Sequence, residues 1–423
     1  MTATRPRVLA IAEAANPEWV SVPLVGWSMA SALRAHADVH IVTQTRNRDA
    51  FLRAGLIEGQ DFTAIDSEAV AAPLYRLASL LRMGEGKGWT MVTAISALAY
   101  PYFERQVWRQ FGARIKAGEF DIVHRITPLS PTIASSLAPK VAAAGVPFVL
   151  GPLNGGVPWP KGFDSERRRE REWLSYIRDA YRLNPAHRRM LRAASLILAG
   201  SRHTASEIPA RHQHKVRLLP ENGIDPSRFN LTAAQSPDGP LRGCFLGRLV
   251  PYKGPDMLLT AAAPLLRDGR LVLDIVGEGP MRGALEALAA ELGVTEAVRF
   301  HGKLPHHEVQ QVLVQAHLLT FPSIREFGGG VVLEAMALGV VPLVVDYAGP
   351  ADLVTPETGR MIPLGTRPEI IAALARQLEA LAQDRTPLVP MAAAARRRVT
   401  ESFTWDNKAA QLVEMYRALM VPT

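Results

Sequence analysis

The chain has 423 residues, enough for two or three domains with sizeable cores. Hydrophobic residues are 48% and charged residues 21% of it, which excludes a disordered chain. A single cysteine, Cys244, excludes an internal disulfide framework and a cysteine metal cluster, and suits a reducing cytoplasm. The formal charge of +8 suits an anionic partner: a nucleoside diphosphate, an acidic lipid surface or a nucleic acid. Much of that charge falls in residues 161–192, with ten Lys or Arg against five Asp or Glu.

In chain order, residues 6–12 read as a first buried strand, not as a secretory leader. An irregular loop is expected over 16–26, a helix over 28–36 and a strand over 39–43. Residues 74–83 and 89–116 read as helical. Then come a strand at 120–124 (FDIVH), a helix over 131–144, and a strand at 147–150 that leads into the loop GPLNGG. Short strands follow at 196–199 and 216–219, then a turn at 222–225. Strands alternating with helices predict a parallel sheet covered on both faces. The polar, turn-rich stretch 233–240 reads as a linker. A second alternating series has strands at 243–246, 271–276, 298–301, 318–321 and 342–345. No apolar run approaches the length of a membrane span.

In open α/β sheets, ligands sit beyond the carboxyl ends of the strands. After the strands of the second series come Arg248 and Lys253, then Gly277 and Gly279, then Gly302 and Leu304, then Glu326 with Gly328, Gly329 and Gly330. Topology alone therefore gathers these groups on one sheet edge. The glycines precede a helical stretch from Val331 to Leu338, with Gly339 placed as its C-cap. Free backbone N–H groups and the positive end of that helix form a ready anion site. Glu326 and Glu334, eight positions apart, can accept hydrogen bonds from hydroxyls beside it.

The E-x7-E spacing with EAMA and the glycine loop resembles the signature of the retaining GT-B glycosyltransferases of the GT4 family, also called glycosyl transferases group 1. The resemblance implies two Rossmann-like doubly wound domains facing across a cleft. Boundaries are expected at 1–235 (acceptor side), 236–402 (donor side) and 403–423, a helix crossing back to the first domain. It implies transfer of a sugar, expected to be a hexose, from a UDP- or GDP-sugar to a hydroxyl of a sugar, lipid-linked or small-molecule acceptor, with retention. Arg248 and Lys253 would bind the diphosphate, Glu326 the transferred sugar, Glu334 the ribose, and the 301–304 stretch the base. Gly277, Gly279 and Val331 would line the donor site.

On the N-terminal side, His124 resembles the family's histidine near the donor sugar, and Gly155 belongs to a loop seen in part of the family. The glycine pair that many relatives carry after strand one is missing, leaving only Gly26 there. Phe327 directly precedes the glycines, where many relatives place a small residue first. No D-x-D triplet occurs, so no metal and no cofactor are expected. Nucleic acid is not an expected partner. The competing readings are a nucleotide-sugar epimerase or a phosphorylase on the same fold, or a non-catalytic basic protein of membrane surfaces or nucleic acid. The basic 161–192 segment reads first as a solvated helical face on the domain rim, with peripheral contact with an acidic membrane at the inner face as the alternative.

Overall fold

The structure is a computed structural model that describes residues 5–69, 89–160, 162–164 and 181–421. The expected helix at 74–83 lies outside these residues, as does most of the basic 161–192 segment. Among the described residues, no helix is long and apolar enough to cross a membrane.

The chain divides into two compact units. One comprises Met1–Gly156, Arg167–Glu221 and Trp405–Thr423; the other comprises Val157–Glu166 and Asn222–Thr404. The turn-rich 233–240 stretch lies within the second unit, just ahead of its first strand.

The first unit holds a seven-stranded sheet. Its strands are β1 Arg7–Ala12, β2 Asp38–Gln44, β3 Phe62–Ile65, β4 Ile122–Thr127, β5 Phe148–Leu153, β6 Leu196–Ala199 and β7 Val216–Leu218, in the order β3-β2-β1-β4-β5-β6-β7. Every paired neighbour is parallel. Side chains alternate between two cores, as a period of two requires. In β1, Leu9 and Ile11 enter one cluster, while Val8, Ala10 and Ala12 enter the other. That second face is covered by helix Val22–His36 and the C-terminal helix Trp405–Met420. Met29, Ala30 and Leu33 meet the cluster beside Ala409, Leu412, Val413 and Tyr416, each set at one-turn spacing. Burying one such large apolar side chain contributes about 1.5–3 kcal/mol. The helix is also tied by Lys408, which is fully buried and donates to the Pro220 carbonyl. Burial drags its ammonium pKa down to about 7.

The second unit holds a six-stranded sheet: β8 Leu241–Leu246, β9 Leu271–Val276, β10 Val298–Gly302, β11 Leu318–Phe321, β12 Val341–Val345 and β13 Arg360–Ile362. The order is β10-β9-β8-β11-β12-β13, again parallel throughout. The two-domain α/β reading therefore stands.

Some local expectations are corrected. The loop expected over 16–26 ends early, because helix Val22–His36 begins with Pro23 in its first turn, where a missing N–H costs nothing. The strand expected to end at His124 runs on to Thr127, and β5 takes in Gly151, Pro152 and Leu153. The helix expected over 131–144 shrinks to Ala138–Ala143. β3 and β13, each short, carry too little alternation to be read from sequence.

Candidate active site

In the second sheet the chain passes from β8 to β9 on one side, and β11 lies on the other. The crevice beyond β8 and β11 is thus a topological switch point, the place where open α/β sheets bind ligands. Phe321 closes β11, and Gly247 and Arg248 follow β8 directly.

Lys253 and Glu326, which follow those two strands, form an ion pair between largely buried side chains. The Lys253 ammonium also lies 4.8 Å from the Phe321 ring centroid. Arg248 is half-buried, and no hydrogen bond or ion pair engages its guanidinium among the described residues. A half-buried cation with five N–H donors and no protein partner suits a bidentate anion.

The glycine loop supplies further donors. Gly329 takes a left-handed N-cap conformation (φ 61°) and starts helix Gly330–Leu338. Gly339 is its left-handed C-cap (φ 77°), in the place expected. No backbone acceptor is found for the N–H groups of Gly328, Gly329, Gly330 and Val331 among the described residues. Those are the orphan donors of a helix start, at its positive end. Glu334 sits one turn in and is half-buried.

The remaining loops of this edge are laced together. Gly247 N–H donates to the Val276 carbonyl (3.0 Å), Gly277 N–H to Gly302 (2.8 Å) and Leu249 N–H to Glu278 (2.9 Å). A Cβ at Gly277 would run into the Gly247 carbonyl oxygen, and one at Gly279 into that of Leu249. Those glycines therefore serve close loop contact. Gly302 takes a left-handed bend (φ 71°) at the end of β10, and Leu304 packs against the core. His301 is held by Asp274 at 2.6 Å.

The first unit treats its named residues differently. His124 stands mid-strand and not at a strand end, fully buried, with Nε2 on the Gly151 carbonyl (2.6 Å) and Nδ1 on the Tyr416 hydroxyl (2.6 Å). Burial pushes its pKa down to about 4, so the ring is neutral and both nitrogens are engaged. Its Tyr416 partner lies in the last helix, too distant in sequence to be foreseen. Gly26 faces Ala14, whose carbonyl oxygen a Cβ would overlap. Gly155 donates its N–H to Thr204 Oγ1 at 3.1 Å.

Sequence reasoning missed several groups at this sheet edge. The Asn222 carboxamide lies beside Gly330, about a van der Waals contact from where a Cβ would stand (3.7 Å). Arg325 donates Nε–H to the Val157 carbonyl (3.1 Å) and lies over the Trp159 and Phe327 rings at 5.1 and 5.4 Å. Arg325 lies just outside the Glu326–Glu334 motif, and the carbonyl it bonds is 168 positions upstream, so no local pattern marks it.

Residues 229–398 match the family model described as glycosyl transferases group 1. That stretch, most of the second unit, is therefore similar to the glycosyl transferases of group 1. The match covers β8 to β13 and the loops that hold Arg248, Lys253, Glu326 and Glu334, but not Asn222. Among curated relatives, the 2-deoxystreptamine glucosyltransferase of Streptomyces kanamyceticus is 29% identical over 246 residues, covering 54% of this chain and 62% of that protein. The D-inositol 3-phosphate glycosyltransferase of Streptomyces scabiei is 33% identical over 256 residues, covering 55% of each. The chain thus spans 55–62% of the length of these two relatives. Among solved structures, HepE of Anabaena in complex with UDP superposes with a TM-score of 0.61 at 15% identity, over 97% of this chain and all of that one, and so shares its fold.

Proposed function

We propose that the chain is a glycosyltransferase that moves a hexosyl group from a nucleoside diphosphate sugar to an acceptor hydroxyl, with retention and without a metal. The observation that carries this reading is the donor set at the switch point. Among the described residues, the Arg248 guanidinium that follows β8 is unengaged and four N–H groups that follow β11 have no backbone acceptor, with Lys253 and Glu326 paired beside them. In sugar transfer the C1–O bond to the diphosphate breaks, and negative charge grows on the departing phosphate. Preorganised donors aimed at that charge are each worth roughly 10² to 10³ in rate. A diphosphate would compete for Lys253 and release Glu326 towards the sugar hydroxyls, while Glu334 would accept from the ribose.

Retention rests on family resemblance: the acceptor attacks the face the phosphate leaves, and the leaving phosphate takes its proton. The protein's work is then positioning and charge stabilisation. Arg248, Lys253 and the start of helix Gly330–Leu338 supply the positive charge that a metal would otherwise bring. The names of the curated relatives support glycosyl transfer, and the UDP complex of HepE supports a UDP-sugar over a GDP-sugar as donor. A sugar, a lipid-linked carrier or a small molecule would accept. The basic segment at 161–192 would bring the protein to an acidic membrane surface.

Thermal-shift titration with UDP, GDP and ADP tests the donor class. A nucleotide at 100 times its dissociation constant stabilises by about 2.7 kcal/mol. One nucleotide should shift the transition, and Arg248→Ala should abolish that shift; no shift with any of the three overturns the reading. Activity lost on adding EDTA would overturn metal independence.

A further inference from the structure

We propose that Arg325 is a positioning residue for the donor sugar, acting through Glu326, and that residues 157–159 are the strap that holds it. The inference rests on the reading of Glu326 as the sugar contact.

The strap follows the GPLNGG stretch and docks entirely within the second unit. It touches three loops, each beside a donor-site group. Trp159 meets the Tyr252 ring edge-on at 6.0 Å, next to Lys253. The Tyr347 hydroxyl donates to the Pro158 carbonyl at 2.9 Å, and the neighbouring Gly349 N–H donates to the Glu326 carbonyl (3.3 Å). Arg325 itself donates to Val157 and lies over Trp159. Its guanidinium thus has aromatic contacts on both the strap and Phe327, with a carbonyl fixing its rotation.

Glu326 is therefore held from both sides in the chain. Ahead of it stands Arg325 on the strap. Behind it stands Phe327, whose carbonyl lies so close to Gly349 that no Cβ fits there. The unusual Phe327 gains a reason: it supplies the second ring for Arg325. A site group works only if its own support fixes it to within a fraction of an ångström. Lysine at 325 would keep the charge but lose the planar fork that bonds a carbonyl while lying on a ring.

The test needs no acceptor. Saturation-transfer NMR with UDP-glucose, or the donor that the nucleotide screen selects, reads sugar-ring and base protons separately. In Arg325→Ala the sugar-ring signal should fall at least about threefold, while the base signal and the Kd for the free nucleotide stay within about twofold. Arg325→Lys should behave like Arg325→Ala. Trp159→Phe should keep the signal and Trp159→Ala lose it. Adding Arg325→Ala to Glu326→Ala should cause no further loss, since both act through one carboxylate. Unchanged sugar signals in Arg325→Ala, an equal loss of base and sugar signals, or additive losses in the double variant would each overturn the proposal. If the wild-type protein shows no Arg248-dependent nucleotide binding, the donor-site reading itself fails, which is a separate result.

Discussion

At the ends of β8 and β11 the chain leaves donors unengaged; in the first unit, the residues singled out by resemblance are consumed by packing. Among the described residues, no hydrogen bond or ion pair engages Arg248 and no backbone acceptor meets the N–H groups of the glycine loop, whereas His124 has both ring nitrogens bonded and Gly26 faces a carbonyl. Both sheets follow the same rule of parallel strands with a switch point. What differs is the cost of emptiness. A half-exposed cation can wait for a ligand in water, while a fully buried polar group left unpaired costs about 1–3 kcal/mol. Free donors at a sheet edge therefore point to a ligand, and satisfied groups at mid-strand point to the fold.

The largest expected effect tests the first half of that contrast. Arg248→Ala should lose the nucleotide shift and roughly 10² to 10³ in turnover, with its denaturation midpoint near that of the parent. Turnover close to the parent's would place the phosphate elsewhere and break the comparison.

His124 tests the second half. Its folded pKa of about 4 lies below the ordinary 6.5, so the unfolded chain binds this proton first as pH falls. The associated stability is complete above pH 6.5 and is lost as pH falls towards 4. By linkage that is about 3 kcal/mol over the window. His187 and His317, also pushed to about 4 by burial, add to the same acid loss. His124→Gln should be less stable than the parent at pH 7 by about 1–3 kcal/mol, and the gap should close by pH 4. Urea denaturation at both pH values reads this. Nucleotide binding should be unchanged; its loss in a stably folded variant would return His124 to the site.

How much of this was legible in the sequence follows from the same physics. The second unit could be read because its strands are nearly continuous apolar runs and because polar groups follow them at once. Strands at 271–276 and 318–321 were read at their true bounds. In the first unit, FDIVH looked finished at His124 because the next residue is Arg125. Arg125 is fully buried, however, donating to the Ile133 carbonyl at 2.7 Å, and the strand continues through it. A buried arginine mimics a strand end. The clamp on Arg325 was hidden for another reason: its partners lie more than 160 positions upstream, beyond any local pattern.

Two glycines give the smallest effects and the finest version of the comparison. Gly26→Ala sits inside a helix, where alanine is favoured by about 0.5–1 kcal/mol over glycine. The new methyl would meet the Ala14 backbone oxygen, which cannot swing aside as a side chain would. Overpacking should win, with a net loss of about 1–3 kcal/mol in urea denaturation. Gly302→Ala meets only the end of the flexible Glu278 carboxylate, at 3.0 Å, so its cost is the left-handed bend alone, about 1 kcal/mol. The Gly302 carbonyl would still accept from Gly277, keeping the loops of the donor edge laced. The nucleotide-induced shift should therefore survive in Gly302→Ala. A tenfold loss of nucleotide affinity there, without a larger loss of stability, would mean that the base rests directly on this bend and leaves no room for a methyl group.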